Sequence, residues 1–449
     1  MTDSPQRQEG LPGTAASPVR EADRVESVDF LRGAALFGIL IINISAFAVP
    51  EAVIDNPRLW GRESSLDFAT WVFTHVFVFG KFITIFSMLF GAGLILMNQR
   101  VARKARDFAR IYYRRIFWLM IIGSLHGYLL WWGDILFNYG TCGLFLFVAR
   151  DWSPRRLLSF GLLMISLSSL PIVALGFHAE FLRSSAESIE AMASSGVALS
   201  PADEETLREW RELKDDIEPG QEKIAEMLQI YRGTYIDILR YRAPKFLEHQ
   251  IALNLFYLFW LLGGVMLLGM ALMKWRIFAS QRSAGFYLRC LWLGYGLGLP
   301  MTSYAAWDLV AHDFDQVHHM KLAFHINSFG NILVALGHIA LAMLIYRSVP
   351  LTKIKSSLAA VGRMALSNYL LHSIVFTTLF YGYGFGLFGK VSRFEQMGFV
   401  VAMWVAQMIL SPLWLRRFRF GPAEWAWRCL TYGHWERLRR AKALPGAGM

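Results

Sequence analysis

Stretches of about 20 apolar residues recur along this chain from Leu31 to Leu415, each long enough to cross a hydrocarbon layer of roughly 30 Å as an α-helix. Backbone groups in lipid must find their hydrogen bonds within a helix or around a closed barrel. Barrel strands run about 10 residues with strict alternation, and these segments are longer and do not alternate. The expected fold is therefore all-α, a polytopic transmembrane helical bundle with the lipid bilayer as its surroundings. Composition agrees: 55% of residues are hydrophobic and 18% charged, where an ordinary soluble domain is about 25% charged.

The segments expected to span run from about 30 to 49, 68 to 97, 112 to 132, 135 to 149, 156 to 177, 250 to 272, 284 to 304, 322 to 346, 357 to 380 and 396 to 415. The second is long enough to be tilted or broken near Gly80. Lys and Arg concentrate in alternate loops, around Arg100 to Arg115, Arg150 to Arg156, Lys274 to Arg282 and Arg347 to Lys355. The positive-inside rule makes these loops cytoplasmic, so ten spans leave both termini in the cytoplasm of an inner-membrane protein. It also accounts for the net charge of +11 without a nucleic-acid partner.

Residues 1–26 read as a disordered cytoplasmic tail and not a signal peptide, because they contain no apolar core. Residues 27–177 form a first bundle of about five spans and 249–418 a second. Between them, 178–248 carries 15 acidic against 9 basic residues and is expected outside, with low to moderate helical content. Residues 419–449 read as an interfacial helix, starting near Pro422 and presenting Trp425 and Trp427, followed by a basic tail. Cys142, Cys290 and Cys429 have no metal-ligand spacing and read as packing residues. No internal repeat is visible, which weakens a transporter built from inverted halves.

Several polar residues stand out against this apolar background. Asp29, Arg32 and Asn43 return to nearly one face of the first span, since 11 residues complete about three turns. Arg32 is either a phosphate-binding fork or a snorkelling anchor. Lys81, in the middle of the second span with His75 on its outer side, cannot face lipid. It either lines a substrate pathway or is neutralised by a carboxylate inside the bundle. His126 and Asp134 are the foremost catalytic candidates: a neutral imidazole can act as base and a carboxylate can fix its tautomer. On a straight helix the two would stand about 12 Å apart, so contact requires the chain to fold back at Gly133. Asn368 and His372 are four apart and share a face, as pathway residues or as interhelical hydrogen bonds. Arg363 is a second candidate for a phosphate, or another anchor. The outer loop from His312 to His319 holds close-set His and Asp but matches no recognised metal motif, and it is expected to be solvated polar chain with no metal.

Strings throughout the chain resemble the YeiB family of bacterial membrane proteins: RVESVDFLRG (24–33), GKF (80–82), FSMLFG (86–91), GSLHGYLLWWGDIL (123–136), GRMALSNYL (362–370) and GPAEWAW (421–427). The first also resembles the opening helix of a wider superfamily of integral-membrane acyltransferases. That resemblance implies transfer of an acyl group from cytoplasmic acyl-CoA, such as acetyl-CoA, to an extracytoplasmic glycan or lipid-linked acceptor. The O-acetyltransferase branch places a His after ten intervening residues beyond the Arg that matches Arg32, a position held here by Asn43. In the scheme the resemblance implies, Arg32 and Arg363 hold the donor, Asn43, Lys81, Asn368 and His372 line the pathway, His126 is the base and Asp134 orients it. A transporter using the same residues as a polar path and a non-catalytic membrane scaffold are the competing classes.

Overall fold

The computed structural model describes residues 25–60, 64–101, 105–348 and 350–440. The expected tail up to residue 24 and the basic end from 441 lie outside the described residues. Among the described residues the chain is helical without a named strand. In order the helices are α1 Glu26–Ala48, α2 Glu51–Asp55, α3 Ser65–Phe77, α4 Lys81–Val101, α5 Ala105–Leu129, α6 Leu136–Leu146, α7 Pro154–Ser168 and α8 Leu170–Ser194. They continue with α9 Pro201–Ile217, α10 Gln221–Tyr231, α11 Tyr235–Glu248, α12 Phe259–Lys274, α13 Ala284–Ala311, α14 Gln316–Lys321 and α15 Ala323–Ser348. The last are α16 Thr352–Arg363, α17 Ala365–Phe380, α18 Arg393–Arg417 and α19 Pro422–Tyr432.

Among the described residues, six helical runs are long and apolar enough to cross a membrane: Glu26–Ala48, Ser65–Gln99, Pro154–Ser194, Tyr235–Lys274, Ala323–Arg347 and Arg393–Arg417. Ala365–Phe380 is a shorter apolar helix. The segment expected at 68–97 is broken where anticipated: Gly80 takes a φ of 80° between α3 and α4, a left-handed turn that suits a residue without Cβ. The segment expected at 357–380 is two helices, α16 and α17, meeting at Met364. The acidic stretch is far more helical than its composition suggested. α8 runs through residue 177, and α11 continues through a π-helical segment, His249–Leu258, into α12. Capping boxes start α9 at Ser200 and Asp203 and α11 at Thr234 and Asp237, satisfying first-turn N–H groups that would otherwise lack partners.

Packing sorts the connections into two ends. At the basic end, Lys274 donates to Trp152 O (2.6 Å), Arg347 to Ser280 O (2.7 Å), Arg114 to Leu430 O (3.0 Å), and Trp427 to Arg115 O (2.9 Å). The basic loops that the charge count assigned to one side thus meet in space. At the other, acidic end, Arg183 pairs with Asp315 (2.6 Å) and Arg393 donates to Val53 O (2.8 Å). α1 runs through the centre, packed against α4, α15, α16, α17 and α18.

Candidate active site

α5 carries four arginines in its first half and becomes apolar toward the acidic end, where it stops at Leu129. The N–H groups of Leu130 and Trp131 both donate to His126 O at 2.9 Å, winding the chain off the helix. Trp131 is buried against Phe47 of α1, with ring centroids 4.2 Å apart. The buried Arg242 of α11 donates to Leu130 O (2.6 Å) and Tyr128 O (2.8 Å), capping carbonyls that the ended helix leaves open. The chain then reverses, so Asp134 returns alongside the helix it has just left. Gly123 makes room for it, because a Cβ there would stand 2.8 Å from Asp134 Oδ2 and 2.3 Å from Phe137 N. Asp134 Oδ2 accepts the Phe137 N–H at 2.8 Å, which starts α6.

The fold-back turns the expected 12 Å separation into contact: Asp134 Oδ1 lies 2.8 Å from His126 Nδ1. On the far side of the ring, Nε2 lies 2.8 Å from Ser373 Oγ on α17. A carboxylate only accepts, so the proton of the neutral ring sits on Nδ1, and Nε2 accepts the Ser373 O–H. His126, Asp134 and Ser373 are 2%, 6% and 0% exposed. Tyr369, one turn before Ser373, lies against the imidazole with centroids 5.1 Å apart and donates to Gly133 O at 3.3 Å. The sequence reading missed Ser373. Its one signal was the four-residue spacing from Tyr369, which puts both on one face of α17.

Asn368 and His372 occupy another face of α17, toward α18. Asn368 Nδ2 donates to Ser411 Oγ (3.1 Å) and Val361 O (3.2 Å), and Gln407 Nε2 donates to His372 Nε2 (2.8 Å) and Asn368 O (3.3 Å). These two residues do meet, in an interhelical network apart from the His126 line. The start of α17 is held by Glu424 of α19, whose carboxylate accepts the N–H groups of Leu366 (2.7 Å) and Ser367 (3.1 Å). An anion at a helix N-terminus is favoured by the orphan donors and the helix dipole. Three of the strings quoted above therefore build one unit: one supplies His126 and Asp134, the second forms the start of the serine-bearing helix, and the third anchors that start.

Lys81 is 0% exposed, and what receives it is not a carboxylate. Its Nζ donates to His75 O at 2.5 Å, a carbonyl freed because Phe79 N–H bonds to Thr74 O at the helix break. His75 is stacked between Trp71 and Phe79, with its Nε2 3.9 Å from Asp55 Oδ1. Arg32 Nη1 donates to Asp29 Oδ1 at 2.8 Å at the basic end of α1. Arg363 ends α16, which packs along α1. Asn43 is half-buried one turn before Phe47, whose ring covers Trp131.

A small cavity of about 30 Å³ opens at the acidic end, lined by Val49, Glu51, Trp132, Tyr231, Tyr241, Arg242, Lys245 and His249 among others. Trp132 lies in the turn between His126 and Asp134 and Arg242 donates to that turn, so the cavity's wall is the outer side of the fold-back.

A family model described as a protein of unknown function (DUF418) matches residues 272–434. The uncharacterized protein YeiB of Escherichia coli is 32% identical over 423 residues, covering 91% of this chain and 96% of its own length. The uncharacterized protein YxaH of Bacillus subtilis is 29% identical over 443 residues, covering 95% and 99%. No solved structure matches the chain.

Proposed function

This chain belongs to the YeiB family, and from its buried Asp134–His126–Ser373 line we propose that it is an inner-membrane acyltransferase, moving an acyl group from cytoplasmic acyl-CoA to an extracytoplasmic glycan or lipid-linked acceptor. The observation that carries this reading is the pair of 2.8 Å contacts on the two nitrogens of one buried imidazole. That order of carboxylate, imidazole and hydroxyl is the arrangement by which serine is made nucleophilic in acyl transfer. Water-poor surroundings favour it further, because an acyl-serine that meets no water is not lost to hydrolysis.

In the proposed cycle Ser373 Oγ attacks the thioester carbonyl while His126 Nε2 takes its proton. The C–S bond breaks, and the proton passes to the departing CoA thiolate. An acceptor hydroxyl reaching in from the Trp132 cavity then attacks the acyl-serine. His126 takes the acceptor's proton and returns it to Ser373 Oγ as the ester bond breaks. Asp134 stays ionised and holds the ring in the Nδ1–H tautomer. Arg32 and Arg363, at the basic end, are the candidates for the CoA phosphates.

The test uses detergent-purified protein and acetyl-CoA. Calorimetry is expected to show binding that Arg32→Ala loses, and mass spectrometry an acetyl group on the Ser373 peptide that His126→Ala fails to acquire. Acetyl-CoA binding and acylation undiminished in His126→Ala would sink the reading. A transporter remains the second reading because of one observation, the break between α3 and α4 that leaves Lys81 on a freed carbonyl; broken helices are where transporters hold ions and substrates. It predicts gradient-coupled uptake that needs no CoA.

A further inference from the structure

A single acidic residue interrupts the apolar C-terminal part of α13. Asp308, one turn from its C-terminus, is 2% exposed, and His312 follows four residues later on the same face. Asp313 and Phe314 then take φ values of 58° and 63°. Two consecutive left-handed residues with side chains cost energy and persist only where their surroundings hold them. Here Phe314 is buried edge-on against Trp71 at 5.2 Å, and Asp315 accepts two hydrogen bonds from Arg183 at 2.6 and 3.0 Å. The reversal lays His318 over His312, with ring centroids 3.8 Å apart. The expected solvated loop is thus a folded unit, with Val317 and His319 buried.

We propose that Asp308, His312 and His318 bind one divalent transition-metal ion of the zinc class, with His319 as the donor that orients the carboxylate. His318 Nε2 and His312 Nδ1 stand 3.4 and 3.5 Å from Asp308 Oδ1. These separations are long for hydrogen bonds between such groups, but they fit neighbouring ligands: donors about 2.0–2.1 Å from a tetrahedral ion lie roughly 3.3–3.4 Å from one another. All three ligand atoms fall within 4.8 Å of each other. The second carboxylate oxygen is taken by His319 Nδ1 at 3.0 Å, the outer hydrogen bond that metal-bound carboxylates ordinarily carry. Two imidazoles and one carboxylate suit zinc, copper or nickel and not magnesium or calcium, which prefer all-oxygen sites. His312 Nδ1 also lies 3.0 Å from Asp308 O, so an ion bound at Nδ1 replaces that contact and leaves the ring's proton on Nε2. α14 packs on α8, so an ion here clamps the helices of the acidic end onto α13.

The experiment is calorimetry of ZnCl₂ into EDTA-stripped, detergent-purified full-length protein carrying a histidine-free affinity tag, with CoCl₂ giving the visible absorption of a tetrahedral site as a second readout. The parent is expected to bind one equivalent. His312→Ala combined with His318→Ala, which removes two accessible rings, is expected to lose the binding and the cobalt spectrum while retaining its circular dichroism. His319→Ala is expected to weaken affinity by about 10–100-fold. Lack of stoichiometric binding in the parent, or equal binding in the double variant, overturns the proposal.

Discussion

His126 and His318 each face an aspartate, Asp134 at 2.8 Å and Asp308 at 3.4 Å, yet the first ring is sealed in the bundle and the second is 38% exposed. The difference in solvent sets what each cluster can do. Around His126 the third partner is a serine hydroxyl, and separating charge inside apolar surroundings is costly enough that protons move only along the short hydrogen bonds already in place. Around His318 the third partner is another imidazole, the spacing is too wide for a proton relay, and hydrated ions can reach the ring. The same two residue types therefore read as a proton relay in one place and a metal site in the other.

The comparison breaks most sharply at Ser373. Ser373→Ala and His126→Ala are each expected to slow turnover of acetyl-CoA by roughly 10⁴-fold, and the double variant by little more than either single one, because the groups act as a unit. The measurement is the rate of CoA thiol release from acetyl-CoA, because Ser373→Ala has no hydroxyl to carry an adduct. Asp134→Asn is expected to bring a loss of about the same order with acetyl-CoA binding intact, through the wrong ring tautomer. A double variant whose loss is the product of the two single losses would show that the serine and histidine work separately.

Arg242 tests whether the sealed cluster owes its geometry to the end of α5. Its guanidinium satisfies two carbonyls between His126 and Asp134, so Arg242→Ala is expected to lower stability in detergent by about 3 kcal/mol, read by thermal unfolding. Arg242→Lys, which restores one donor to that turn, is expected to recover part of it. Equal stability of the alanine variant and the parent would mean that packing of Trp131 alone holds the turn.

For the open cluster the expected effect is similar in size but depends on the ion. Zinc at 100-fold over its dissociation constant is expected to stabilise the protein by about 2.7 kcal/mol, simply because it binds only the folded form. The rise in unfolding temperature should vanish with EDTA and in the His312→Ala/His318→Ala variant. A rise that survives both would place the ion elsewhere on the chain.

What the sequence made legible follows the strength of each signal. Long apolar runs announced the helices, and Gly80 announced the break. The His126–Asp134 pair was legible as chemistry, with its condition stated: the chain had to turn back near Gly133. Ser373 was not, since a hydroxyl in an apolar helix carries no charge and disturbs no hydropathy pattern. Asp308 was hidden for another reason, lying between the span expected to end at 304 and the loop read from His312, where no helix was expected. The acidic helices were underestimated because their polar composition masked Ser200 and Thr234, whose capping boxes were in plain view.

The smallest expected effect is the one that separates the two faces of α17. Gln407 serves His372 and Asn368 on the α18 side, away from Ser373. If that side only ties helices together, Gln407→Leu removes hydrogen bonds worth about 0.6 kcal/mol each on average within a membrane. The rate of acetyl adduct formation should then match the parent. Should the variant fold as the parent does but fail to be acylated, the His372 face belongs to the reaction path. Asn368 and His372 would then be restored to the pathway that their spacing first suggested, and the serine line would be one half of a larger site crossing α17 from α5 to α18.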